Sequence, residues 1–168
     1  MKILVTAVAV LALVALVLLG VIYSGAYDVA ATTPDEGVVA WAFETALERS
    51  LERRARGVEV PPLDRPEQLA TGLVHYHEMC VTCHGAPGVP ASEIGAGLHP
   101  FPPELAEEAE ELEPAELFWV VKNGIKMTGM PAFGPTHSDE ELWAIVAFVE
   151  TLPEMLPQQY AAAVRDAG

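Results

Sequence analysis

The chain has 168 residues, 51% of them hydrophobic, and carries 24 acidic against 9 basic side chains, a formal net charge of −15. That length accommodates one ordinary domain of roughly 100 residues plus extensions. Such an acidic surface repels phosphates, which excludes non-specific nucleic-acid binding; it is either a solvated surface or a field that steers a basic partner.

The first predicted element is Ile3 to Tyr23, ILVTAVAVLALVALVLLGVIY, 21 residues without a charge. At about 1.5 Å per residue it makes a helix of about 31 Å, close to the roughly 30 Å of a bilayer's hydrocarbon core. A cleaved signal peptide has a shorter apolar region, roughly 7–15 residues. Although Ser24-Gly25-Ala26 passes for a cleavage site, the length favours a retained transmembrane anchor over residues 1–27. Neither cysteine lies near it, which excludes lipidation there. Lys2 precedes the run and Asp28, Asp35 and Glu36 follow it, so the positive-inside rule leaves the N-terminus in the cytoplasm and sends the rest outward, in a bacterium to the periplasm.

Residues 28–65 read as a linker with one helix at about 38–56. Val39, Phe43, Leu47 and Leu51 recur on one face, and Gly57 stops it. VEVPPLDRP is a stiff proline-rich link, and Pro66 opens a helix, PEQLATGLVHYHEM, that runs straight into the cysteines. GAPGVPASEIGAGLHPFPP reads as loop throughout. ELAEEAEELE is a very acidic helix, and PAELFWVVKNG a second one with Pro114 at its first position and Gly124 at its end. After the loop GIKMTGMPAFGPTH, Ser138 and Glu141 form a capping box for a helix that Pro153 ends. The eight apolar residues Leu142 to Val149 are too few to span a membrane and suggest burial on most sides. A short last helix from Pro157 through Tyr160 lies in a C-terminal extension, 154–168. The outer domain, 66–153, is therefore all-α: short helices and long loops that need a large rigid body to pack on.

Cys80 and Cys83 are the chain's only cysteines, and His84 follows at once. A redox disulfide of the thioredoxin kind belongs with strands, which are missing. His77, Cys80, Cys83 and His84 supply four zinc-type ligands, but the adjacent Cys83 and His84 do not easily share one tetrahedral ion. Cys-x-x-Cys-His is the attachment signature of c-type haem: two thioethers fix the porphyrin and the histidine faces iron. The expected cofactor is one covalent haem c held by Cys80, Cys83 and His84. For the sixth iron position, Met1, Met79 and Met155 are badly placed, which leaves Met127 and Met130. Gly129 and Pro131 favour Met130; either methionine would also serve as a core filler, and His99 and His137 are the rival ligands. For His75, His77, His99 and His137 a solvated or core role is the default. Leu98, Phe101, Leu105, Phe118, Val121 and Phe133 are candidates to wall the haem, although core packing explains each equally well. Lys122 and Lys126 flank the loop and mark either a docking face or mere solubility.

CVTCHG, FWVVKNGIKMTGMPAFG and SDEELWAIVAFV together resemble a class I monohaem cytochrome c, most closely the bacterial domains found as membrane-anchored carriers and in haem–copper oxidase subunits. The resemblance covers about Pro66 to Pro153. It implies the cytochrome c fold, His84 and Met130 as axial iron ligands, and a crossing of the first and last helices at Gly72 and Tyr76 against Trp143 to Val149. The implied function is that of an electron carrier rather than an enzyme, tethered by one helix to the outer face of the bacterial inner membrane. Its partners would be membrane-bound or periplasmic redox proteins of a respiratory or photosynthetic chain, with no small-molecule substrate. The alternatives are a permanent haem subunit of a larger membrane oxidoreductase and, less favoured, a haem enzyme or gas sensor with an open iron site. Nothing in the family fixes the role of the helix near 38–56.

Overall fold

The structure is a computed structural model that describes residues 1–167. It divides into two compact units, Met1–Thr33 and the remainder from Pro34 onward. Among the described residues there are helices and no strand; the one bridge pairs Ala86 with Val89.

The first unit is α1 (Lys2–Ser24), ended by Gly25 in the left-handed conformation. It is long and apolar enough to cross a membrane, and none of its side chains is buried by protein. Beyond it, Asp28 accepts hydrogen bonds from the Ala30 amide and the Thr33 hydroxyl, each at 2.9 Å, and these hold its carboxyl below the usual range.

The second unit contains α2 (Val38–Ala55), α3 (Pro66–His75), α4 (Val81–His84), α5 (Glu93–Ala96), α6 (Leu105–Glu111), α7 (Pro114–Asn123), α8 (Asp139–Val149) and α9 (Pro157–Ala167). A π-helical turn, Tyr76–Cys80, joins α3 to α4, and a 3₁₀ turn, Leu152–Glu154, follows α8. The starts follow local chemistry. Proline opens α3 and α7. The Glu113–Glu116 and Ser138–Glu141 capping boxes satisfy amides at the N-termini of α7 and α8.

The core is built on α8, whose residues Leu142 to Val149 are all buried. α3 crosses it at Gly72, where any side chain would collide with the Ala144 carbonyl and the Phe148 Cβ. Backbone meets backbone there, and Tyr76, 1% exposed, packs its ring 5.2 Å from that of Phe148. α7 adds Leu117 and Phe118, the latter stacked on Trp143 at 4.1 Å and 9°. α6 lies on the 3₁₀ turn, and α9 brings Tyr160 into the core at 2% exposure.

Several elements differ from expectation. The helix from Pro66 is not α-helical to Met79 but changes register at Tyr76. The segment read as loop throughout contains α5, because Ser92 accepts hydrogen bonds from the Ile94 and Gly95 amides and so caps one turn. α8 ends at Val149, with Pro153 inside the 3₁₀ turn that follows. The last helix runs on to Ala167. Along the apolar face of α2, Leu51 is buried, Val39 and Leu47 are half-buried and Phe43 is exposed. α2 packs on α7 through its C-terminal half and leaves Val38 and Trp41 exposed.

Candidate functional site

Both cysteines and His84 sit where the π-turn hands over to α4. The amide of Val81 reaches back to the Tyr76 carbonyl across the wide turn. Gly85 then stops the helix at φ 68°, with a side chain forbidden by the Val89 carbonyl and the Ala91 amide. The Tyr76 hydroxyl donates to the Gly85 carbonyl at 2.7 Å, which closes a loop around Cys80, Cys83 and His84. Both cysteines are free thiols. Burial first, and Cys83 second, push the Cys80 thiol up to about 12. A thiol so hard to ionise is a poor match for a redox nucleophile, which needs a depressed value.

The His84 ring is fixed through one nitrogen. Nδ1 lies 2.8 Å from the Pro103 carbonyl oxygen. A carbonyl only accepts, so Nδ1 carries the proton and Nε2 keeps its lone pair. Burial lowers the histidine's pKa, opposed by the bond to Pro103, and favours the neutral imidazole. A neutral ring with its second nitrogen held by a carbonyl is the usual state of a metal-binding histidine.

The segment between Ala86 and Glu104 carries the attachment turn toward the methionine loop. Ser92 donates its hydroxyl to the Thr82 carbonyl at 2.7 Å, and its amide donates to the same oxygen at 3.0 Å. Gly95 lies so close to the Cys83 backbone that a side chain would collide with it. Three residues on, Leu98 lies against Gly129 in the same way. In the methionine loop, the Ile125 amide donates to the Met130 carbonyl at 3.2 Å. Thr128 donates its hydroxyl to the Ile125 carbonyl at 2.8 Å and accepts from the Met130 amide at 3.0 Å. Gly124, at φ 64°, leaves space for the backbone of Met130 and Pro131. The loop separates its two sulfurs. Met130 is half-buried, whereas Met127 is 82% exposed on a backbone with φ 61°, unusual for a residue other than glycine.

The remaining histidines are engaged or half-buried. His137 hydrogen-bonds Thr136 at 2.9 Å and meets the His75 ring edge-on at 5.3 Å, and His75 lies 4.0 Å from Glu141. His77 bonds Tyr160 at 2.8 Å, and His99 is half-buried. Of the proposed wall residues, Phe118 belongs to the core, stacked on Trp143. Leu105, Val121 and Phe133 are partly buried against it, Leu98 is half-buried and Phe101 is 66% exposed. Lys122 is drawn into the fold: it pairs with Asp139 at 2.6 Å and lies over the Phe118 ring, while Lys126 is exposed. The sequence reading missed Pro103, Thr128 and Tyr160. The first acts through a backbone carbonyl, which no side chain announces. Ser92 followed by Glu93 was a readable cap.

Among the described residues no group of three or more His, Cys, Asp or Glu side chains is arranged to hold a metal ion directly. A haem fits these residues: two free thiols one helical turn apart, a neutral histidine with a free nitrogen, and a half-buried thioether in a braced loop. An all-α domain with this motif is a c-type haem domain that works in electron transfer. Residues 67–149 match the model of the family described as cytochrome c oxidase, cbb3-type, subunit III, and are a c-type cytochrome domain of the haem–copper oxidase subunit type. No curated protein and no solved structure matches the chain.

Proposed function

We propose that the chain is a membrane-tethered electron carrier whose haem would be held by Cys80 and Cys83, through thioethers, and by His84 and Met130. The observation that carries this reading is the His84 ring, tied at Nδ1 to Pro103 and open at Nε2, beside two free thiols. Bound there, haem would supply a one-electron Fe(II)/Fe(III) couple, which a histidine and a methionine as ligands would set at a high potential. The protein's task is to hold the two ligands still. Pro103 fixes the histidine, and Thr128 fixes the backbone that presents Met130. Tethering by α1, with the haem domain of residues 66–153 on the periplasmic side, raises the local concentration of the carrier near membrane-bound donors and acceptors.

A second reading is a permanent haem subunit of a larger membrane oxidoreductase. The family's description and the exposed Val38, Trp41 and Phe43 of α2 favour it. Purification in mild detergent separates the two: a lone haem protein of 18.0 kDa supports the carrier, and a defined complex supports the subunit. The attachment itself is tested on a denaturing gel stained for haem. Colour should stay with the chain and vanish in the Cys80→Ala/Cys83→Ala variant; a wild-type band without colour overturns the reading.

A further inference from the structure

We propose that α9 braces the haem-attachment turn from outside and that Tyr160 is its positioning residue. α9 lies beyond the segment that matches the family, 67–149. Tyr160 is nonetheless among the most buried side chains of the chain. Its hydroxyl is 2.8 Å from Nδ1 of His77, and its ring meets that of Tyr76 at 6.5 Å and 81°. Pro157, in the first turn of the same helix, presses on Gly88, where φ is 78° and a side chain would strike the Pro157 Cβ. One helix therefore touches the chain on both sides of the motif, at His77 before Cys80 and at Gly88 after His84.

The turn between them needs such support. Its π register is rare and appears mostly as single turns at functional sites. The residues from Pro66 to Met79 have the pattern of a continuous α-helix, so local preference works against it. A return to the α register would rotate α4, with Cys83 and His84, by about 100° around the axis of α3, one residue's share of a turn. Two tyrosine hydroxyls oppose that rotation. Tyr76 ties the start of the turn to Gly85 from within, and Tyr160 ties His77 to α9 from without.

The inference rests on attachment of haem at Cys80 and Cys83 and ligation by His84. It is tested on the full-length, haem-loaded protein in detergent, as wild type, Tyr160→Phe, His77→Ala and the double variant. Tyr160→Phe keeps the ring in the core and removes only the hydroxyl. Amide hydrogen exchange across residues 76–85 should quicken about fivefold in each single variant, the factor for one hydrogen bond of about 1 kcal/mol, and no further in the double variant. α7 and α8 should keep their rates, and the midpoint potential should shift equally in the single and double variants. Unchanged exchange across 76–85 in Tyr160→Phe overturns the brace. So does an increase spread over α7 and α8, which is what a loss of general packing would give, or effects that add in the double variant. A wild-type chain without thioether-linked haem overturns the attachment reading first, and the brace with it.

Discussion

Met127 and Met130 lie in one loop, and the backbone gives them different prospects. Met127 is exposed, whereas Met130 follows Thr128, whose hydroxyl bridges the Ile125 carbonyl and the Met130 amide. Met130→Ala should therefore open the iron to carbon monoxide in the reduced protein and abolish the weak far-red sulfur-to-iron band of the oxidised one. Met130→His should keep six ligands and lower the potential, since a thioether supports ferrous iron better than imidazole does. Met127→Leu should leave band and potential in place; loss of the band in that variant alone would give the ligand role to Met127. In the sequence, Gly129 and Pro131 favour Met130, because small and rigid neighbours allow close approach. The Thr128 bridge was not readable. A threonine two residues before a methionine is common, and only the fold of the loop brings its hydroxyl between two backbone groups.

At the scale of elements, α8 was the most legible. A Ser-x-x-Glu start and a run of eight apolar residues specify a capped, buried helix, and the helix has that form. Its cap also has a pH dependence. The Ser138 amide and hydroxyl donate to Glu141 and hold its carboxyl below the ordinary 4.5, with smaller help from His75 and His137. A depressed folded pKa contributes stability that is fully present above the unfolded value and lost as pH falls through the folded one. Glu141→Gln should lower stability at neutral pH, and the gap to wild type should close on acidification below about 4.5. Denaturant titrations of both chains across that range measure it; a gap independent of pH would show the carboxylate charge to be irrelevant to the cap. Less legible were the elements that tertiary contacts decide. The π-turn depends on hydrogen bonds to Gly85 and Tyr160, far along the chain or after the turn. The apolar repeat of α2 marks the face that carries its buried Leu51 and Ala55, but not how far along the helix that face is covered, because that depends on where α7 lies against it.

For the molecule as a whole, charge and apolar length are carried by different parts. α1 is uncharged beyond Lys2, while the acidic excess belongs to the domain that follows. The division into units falls after Thr33. A chain beginning at Thr32 should accordingly stay in solution without detergent and keep the visible spectrum of the full-length protein, and the mature full-length protein should retain its first residues. An N-terminus at Ala26 or Tyr27 would assign α1 to a signal sequence instead. Length and hydropathy are local properties that the sequence carries openly; the packing of Tyr160 is not, since a polar helix after a proline reads as an extension until its one buried ring is seen.

The tie between His84 and Pro103 also bears on how this site tolerates change. Its acceptor is a main-chain oxygen, 19 residues along the chain from the ring it holds. Replacing the residue at 103 leaves that oxygen in place as long as the chain keeps its path. An insertion or deletion between Ala86 and Pro102 moves it away even if every neighbouring side chain is retained. The protonation pattern of the histidine is thus inherited through the length of a loop, and a survey of substitutions at single positions would not detect its loss.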